Sequence, residues 1–241
     1  MSQEYKFETL CLHAGQEPDP TTNARGVAIH RTSSYVFKST EHAANLFGLK
    51  ELGNIYTRIM NPTQDVLEQR VAALEGGAAA LALSSGTSAI HYAIINICSA
   101  GDEIVSASNL YGGTYTMFDS ILPQFGIQTK FADARDPRSF ESAITDKTRA
   151  IFIETIGNPL LDFTDIGAIS EIARRHHLPL IVDATFTTPF LLKSFDYGAD
   201  IVVNSLTKWM GGHGTGIGGI VVDSGKFDWT DPKFKLYNEP D

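Results

Sequence analysis

The sequence predicts an α/β fold: a mainly parallel sheet covered by helices on both faces. Short apolar runs recur near residues 79–83, 103–107, 127–131, 149–154, 179–182 and 199–203, and helix-patterned stretches such as Asp165 to His176 separate most of them. This alternation is the signature of successive strand–helix–strand units. Runs such as Leu180-Ile181-Val182 are apolar throughout, as a strand buried on both faces must be. At 241 residues the chain is long enough for one large domain with a substantial core.

Taken in order, residues 1–60 read as an irregular N-terminal arm. Their Gly, Pro and Thr content and lack of periodicity suit a segment that wraps a neighbour. Residues 61–241 read as the domain proper. A helix is predicted over Gln64 to Leu74, with Thr63 as N-cap and Gly76-Gly77 as the stop. After the strand at 79–83 comes a small-residue turn, Ser84-Ser85-Gly86-Thr87-Ser88-Ala89, leading into a helix-like run from Ile90 to Cys98. Ile217 to Val222 adds a further strand, read as antiparallel.

The chemistry gathers where strands end. Asn204-Ser205-Leu206-Thr207-Lys208 follows the run Ala199 to Val203 and precedes the glycine-rich segment Gly211 to Gly219. A lysine there, partly buried and flanked by hydroxyls, suits a covalent anchor for an aldehyde, with Ser205 and Thr207 able to bond an attached phosphate. By itself such a lysine is more often a solvated strand-end residue. Asp183 sits at the end of Leu180 to Val182, where a carboxylate is as commonly an N-cap or a solvated loop residue. The turn at 84–89 leaves free N–H groups at the positive end of a helix, a phosphate cradle that requires no lysine. All three fall at predicted C-terminal strand ends, the edge where open α/β sheets bind ligands. An amine for an aldehyde, a carboxylate for a ring nitrogen and a cradle for a phosphate together match pyridoxal 5'-phosphate.

The chain also resembles the Cys/Met-metabolism family of pyridoxal-phosphate enzymes, which have the aspartate-aminotransferase-like fold (fold type I). The resemblance rests on Ser33-Ser34-Tyr35, Tyr56-Thr57-Arg58 with Asn61-Pro62-Thr63, Ser85-Gly86-Thr87, Asn109 to Thr114, Glu154 to Pro159, Val182 to Phe186, Ser205 to Lys208 and Gly211 to Thr215, all in order over almost the whole chain. It implies Lys208 as cofactor-bonding lysine and proton carrier, and Asp183 as partner of the ring nitrogen. Gly86 and Thr87 would offer N–H groups to the phosphate, Ser205 and Thr207 hydroxyls, with Ser85 and Thr185 in the same cofactor-binding set. Tyr111 would stack on the ring and assist the leaving group. Asn158 would lie near the ring oxygen, with Glu154 in support. Tyr56 and Arg58 would reach the cofactor of a neighbouring subunit, so that a homodimer or homotetramer shares its sites. On residue chemistry alone, Tyr111 is equally a core or interface aromatic, Tyr56 and Arg58 a surface pair, and Glu154 a strand terminator.

The implied reaction is γ-replacement: O-acetyl-L-homoserine exchanges acetate for sulfide or a thiol, giving homocysteine or methionine, in methionine biosynthesis by transsulfuration. Gly113 and the Gly212-His213-Gly214-Thr215 run lean towards the sulfhydrylases of the family. Methionine γ-lyase, which typically has cysteine in place of Gly113, and cystathionine γ-synthase are the alternatives. Family members also have a C-terminal substrate domain, whose arginine grips the substrate carboxylate. No arginine follows Arg175, so that domain is expected to be absent, and a non-catalytic pyridoxal-phosphate-binding fragment is a further alternative.

Bulk properties narrow the field. A net charge of −9 with no basic run argues against nucleic acid. No apolar stretch approaches a membrane span, and Met1-Ser2-Gln3-Glu4 lacks a signal-peptide pattern. Cys11 and Cys98 lie in no motif, which fits a cytoplasmic protein with free thiols. His213 has no second ligand at suitable spacing, so no metal is expected. A nucleotide-binding Rossmann reading fails because the first turn lacks the glycine fingerprint.

Overall fold

The computed structural model describes residues 5–238; the readings of Met1 to Glu4 and of Glu239 to Asp241 lie outside the described residues. The chain divides into two compact units, residues 1–73 and 74–241.

In the first unit, helices α1 (Phe7–His13) and α2 (Thr40–Phe47) occupy part of the segment read as irregular, and α3 (Pro62–Glu75) begins just after it. Neither short helix has enough turns to show a period in the sequence. Ser39 caps α2, its Oγ accepting from His42 N–H at 3.1 Å. The α3 start also differs from expectation. Asn61, not Thr63, closes the first turn, its Oδ1 accepting from Thr63 N–H at 2.9 Å. Thr63 lies inside the helix and turns its hydroxyl outwards, donating to Ala28 O and accepting from His30 N–H, both at 2.9 Å. With the antiparallel bridge Ser34–Tyr56, these bonds tie the extended arm to the head of α3.

The second unit carries a seven-stranded sheet: β1 (Ala79–Leu83), β2 (Glu103–Ala107), β3 (Gln128–Ala132), β4 (Thr148–Glu154), β5 (Leu180–Asp183), β6 (Ile201–Ser205) and β7 (Gly219–Asp223), in the order β1-β7-β6-β5-β4-β2-β3. Strands β3, β2, β4, β5 and β6 pair in parallel; β7 is antiparallel to both β6 and β1. Central strands are buried through their length, from Ile151 to Ile153 and Leu180 to Val182. Helix α4 (Gly86–Ile95) packs on β7, β6 and β1. Helices α6 (Pro137–Ala143) and α7 (Ile166–Arg175) pack on each other and on other strands, with α5 (Gly112–Thr116) starting the connection between β2 and β3.

The amphipathic logic is plainest in α7. Ile166, Ile169, Ile172 and Ala173 fall on one buried face, while Arg174 and Arg175 close the last turn, where cations suit the helix dipole. Asp165 caps the start by accepting from Ala168 N–H at 3.0 Å. Burying each isoleucine contributes roughly 1.5–3 kcal/mol.

A polar pair lies inside this apolar sheet. Alternation along β6 turns Ser205 towards α4 and Asn204 to the opposite face, where Asn204 Nδ2 donates to Glu75 Oε1 at 2.8 Å. Glu75 is 1 % exposed and Asn204 fully buried, while Glu75 Oε2 and Asn204 Oδ1 have no partner. Burial pushes the Glu75 carboxyl up to about 7, against the Asn204 bond and the Lys193 charge, which pull it down. A proton on Oε2 therefore suits the site. The unfolded chain, with its value of 4.5, gives up that proton first as pH rises. Glu75 thus stabilises the fold fully below 4.5, and the contribution is lost as pH passes 7. Glu75→Gln keeps the acceptor and adds a donor for Asn204 Oδ1. It is expected to raise the melting temperature at about pH 8, by the equivalent of on the order of 3 kcal/mol, with the gain shrinking towards pH 4.5. Thermal unfolding followed by circular dichroism at both pH values checks this, and a gain independent of pH contradicts it.

Candidate active site

Because β1, β4, β5 and β6 run the same way, their C-terminal ends open on one edge of the sheet. A cavity of about 600 Å³ lies there, lined by residues drawn from 85 to 217. Ser85, Gly86, Thr87, Tyr111, Asn158, Asp183, Thr185, Ser205, Thr207 and Lys208 all contribute. Tyr56 and Arg58 belong to the first unit and are not part of the lining. There the Arg58 guanidinium stands 5.7 Å from the centre of the Tyr56 ring.

The cradle is built by close approach. Ser85 caps α4, its Oγ accepting from Ser88 N–H at 3.0 Å, which leaves the N–H groups of Gly86 and Thr87 without a partner in the cap. A Cβ on Gly86 would lie 2.6 Å from Ser205 Cβ and 3.0 Å from its Cα. One on Gly219 would run into the carbonyl of Ser85. The two glycines let the head of α4 sit directly on the ends of β6 and β7. Thr207 braces the other side, its Oγ1 accepting from Gly218 N–H at 3.1 Å.

Two carboxyls stand side by side. Glu154 and Asp183 end β4 and β5 and are paired in register, so their side chains leave the same face of adjacent strands. Asp183 Oδ1 accepts from Thr185 N–H at 2.9 Å, and Thr185 Oγ1 in turn accepts from Ser205 N–H at 2.8 Å, linking β5 to β6. Burial raises the Asp183 carboxyl against the bonds from Thr185. Glu154 is pushed up to about 8, first by burial and then by the charge of Asp183, while N–H groups of Tyr111 and Asn158 pull it down. Sequence reasoning gave Glu154 only a supporting place; its register with Asp183 is visible only once strand order is known.

Lys208 departs from expectation in one respect. The turn Leu206–Met210 is broken at Lys208, whose φ −97° and ψ −125° are not helical. Lys208 is exposed rather than partly buried. The apolar lining from Ile90, Ile156, Phe186, Trp209 and Ile217 was also missed. Ile156 and Phe186 lie inside recognised motifs and the others within a few residues of one, but nothing in their own spacing marks them. Among the described residues no cluster of His, Cys, Asp or Glu could hold a metal.

An open sheet that sets an accessible amine, a carboxyl and a helix N-terminus around one cavity is an α/β domain whose chemistry suits an aldehyde cofactor with an anionic arm. Comparison with known proteins identifies the particular kind. The profile of the Cys/Met metabolism PLP-dependent enzymes matches residues 8–239, and the chain belongs to that family. It is 57 % identical over 241 residues to an O-acetyl-L-homoserine sulfhydrylase of Leptospira meyeri, covering 100 % of this chain and 54 % of that protein. A homocysteine synthase of Schizosaccharomyces pombe is 54 % identical over 237 residues, covering 97 % of this chain and 55 % of the relative. The chain thus spans about half the length of the curated relatives it matches. Among solved structures, an O-acetylhomoserine (thiol)-lyase of Campylobacter jejuni, carrying an N'-pyridoxyl-lysine-5'-monophosphate, superposes with a TM-score of 0.96 at 40 % identity, over 99 % of this chain and 59 % of that one. The fold is the fold-type-I class expected from the motifs.

Gly86→Ala tests the close approach. Overpacking against Ser205 is expected to cost roughly 1–3 kcal/mol of stability and to weaken binding of inorganic phosphate at the cradle. Unchanged melting and unchanged phosphate binding would show that α4 is not held this tightly.

Proposed function

We propose that this chain is the cofactor-binding part of an O-acetyl-L-homoserine sulfhydrylase, a pyridoxal-phosphate-dependent transferase that releases acetate and forms homocysteine with sulfide, or methionine with a thiol. The observation that carries the reading is the convergence of Lys208, Asp183 and the head of α4 on one cavity. Relatives named for the same activity support it over the lyase and cystathionine γ-synthase alternatives.

The residues fit the cofactor. Bare N–H groups at Gly86 and Thr87, with hydroxyls at Ser205 and Thr207, form a cradle that a side chain at Gly86 would fill. Asp183 has one oxygen bonded to Thr185 and the other available for a protonated ring nitrogen, whose charge would hold the carboxyl ionised. Thr185 fixes its direction. Lys208, exposed to the cavity, would hold the aldehyde end, Tyr111 would cover the ring face and Asn158 would meet the ring oxygen. When bound, the cofactor supplies the electron sink for charge left on the substrate's α-carbon. Lys208 Nζ would take the α-proton and carry the next from the β-carbon. Tyr111, half exposed at the rim, would present its hydroxyl to the departing acetate. Tyr56 and Arg58 would serve a neighbouring subunit's phosphate, making the working unit a homodimer or homotetramer. The protein would act in the cytoplasm; no helix among the described residues is long and apolar enough to cross a membrane.

Pyridoxal phosphate followed by borohydride reduction is expected to label Lys208, as read by peptide mass spectrometry, and Lys208→Ala to remove that label. Asp183→Ala is expected to lower turnover of O-acetyl-L-homoserine with sulfide by at least roughly 100-fold, as deletions of a preorganised electrostatic partner do. Label spread over other lysines, with none at Lys208, contradicts the assignment.

A further inference from the structure

Tyr111 is poised without a packed core around it: the residue is 50 % exposed. Something other than burial must aim its ring. The residue precedes α5 with an extended backbone, φ −50° and ψ 133°. Its N–H donates to Glu154 Oε1 at 2.8 Å, and its carbonyl accepts from Tyr115 N–H at 2.9 Å, so the backbone is held on both sides. The ring then folds over Gly113. A Cβ there would stand 2.7 Å from Tyr111 Cε1, 3.3 Å from Cδ1 and 3.4 Å from Cζ. At Gly112, the adjacent glycine in the same turn, a Cβ would meet nothing within 4 Å. Neither glycine has a positive φ, so space and not backbone conformation separates them.

We propose that Gly113 and Glu154 are the positioning residues for Tyr111: Glu154 pins the backbone and the bare Cα of Gly113 admits the ring over the cavity. A side chain at 113 is a steric switch on ring position, and hence on the room left beside the substrate's leaving group. The functional consequence rests on the reading above, in which Tyr111 faces that group. The geometric claim does not.

The test pairs Gly113→Ala with Gly112→Ala. Crystal structures without cofactor are expected to show the Tyr111 ring rotated away in Gly113→Ala and unmoved in Gly112→Ala. In the loaded enzyme, Gly113→Ala is expected to lower kcat by about 10- to 100-fold with little change in KM, the scale of a group misplaced by about 1 Å. In a Tyr111→Ala background the same substitution should cost nothing further, since no ring remains to displace. Glu154→Ala is expected to lower kcat likewise and Glu154→Gln, which keeps an acceptor oxygen, to restore most of it. An unmoved ring in Gly113→Ala, or an equal loss in both backgrounds, overturns the proposal. Should Gly113→Ala fail to fold, the double variant with Tyr111→Ala decides: folding of the double variant supports the steric clash, and its failure overturns it. Ring position is read without substrate, so absence of label on Lys208 would sink the proposed function and leave this result standing.

Discussion

The site depends on the head of α4 resting directly on the ends of β6 and β7. Gly86 against Ser205 and Gly219 against the Ser85 carbonyl leave no room for a Cβ. That approach puts unpaired N–H groups beside the strand whose exit leads, within a few residues, to Lys208. Strand β7 makes it feasible. As an antiparallel insertion between β1 and β6, it lets β1 run parallel to β6 without being its neighbour, so the turn after β1 opens on the same edge as Asp183. A side chain at either glycine would separate the head of α4 from the exit of β6 even with every other cavity residue in place.

Buried carboxyls supply the second constraint. Asp183 and Glu154 lie on paired strands, where burial opposes ionisation of both and the charge of Asp183 adds to it for Glu154. Asp183 is turned by Thr185 towards the cavity, where a cation can hold it charged. Glu154 accepts the N–H of Tyr111 and so organises a loop instead. Glu75, across the sheet, is a third case: a carboxyl that burial pushes up while Asn204 donates to one of its oxygens. These acids behave differently because their hydrogen-bond partners differ.

The first unit stands on other terms. It has little regular structure, and bonds tie the arm to α3 and the residue before it, through Asn61, Thr63 and Arg70. Tyr56 and Arg58 sit beside the Ser34–Tyr56 bridge, which gives them a defined backbone far in sequence from the motifs at residues 85–208.

Local patterning was enough to read the alternation of strands and helices, the antiparallel last strand and the polar residues of the cavity. These follow from local apolar runs and from small or polar residues where strands end, all readable within a few positions. It misplaced the cap of α3, where Asn61 and Thr63 both have the right chemistry and contacts to the distant arm decide between them. It also missed α1 and α2, too short to show a period, and expected Lys208 to be partly buried. Tertiary structure alone decided the pairing of Glu154 with Asp183, the contact of Gly86 with Ser205 and the room for the Tyr111 ring over Gly113. The first two depend on strand order and register, which join residues far apart in the chain. The third depends on a side-chain orientation, and that is set by an acceptor on another strand, Glu154.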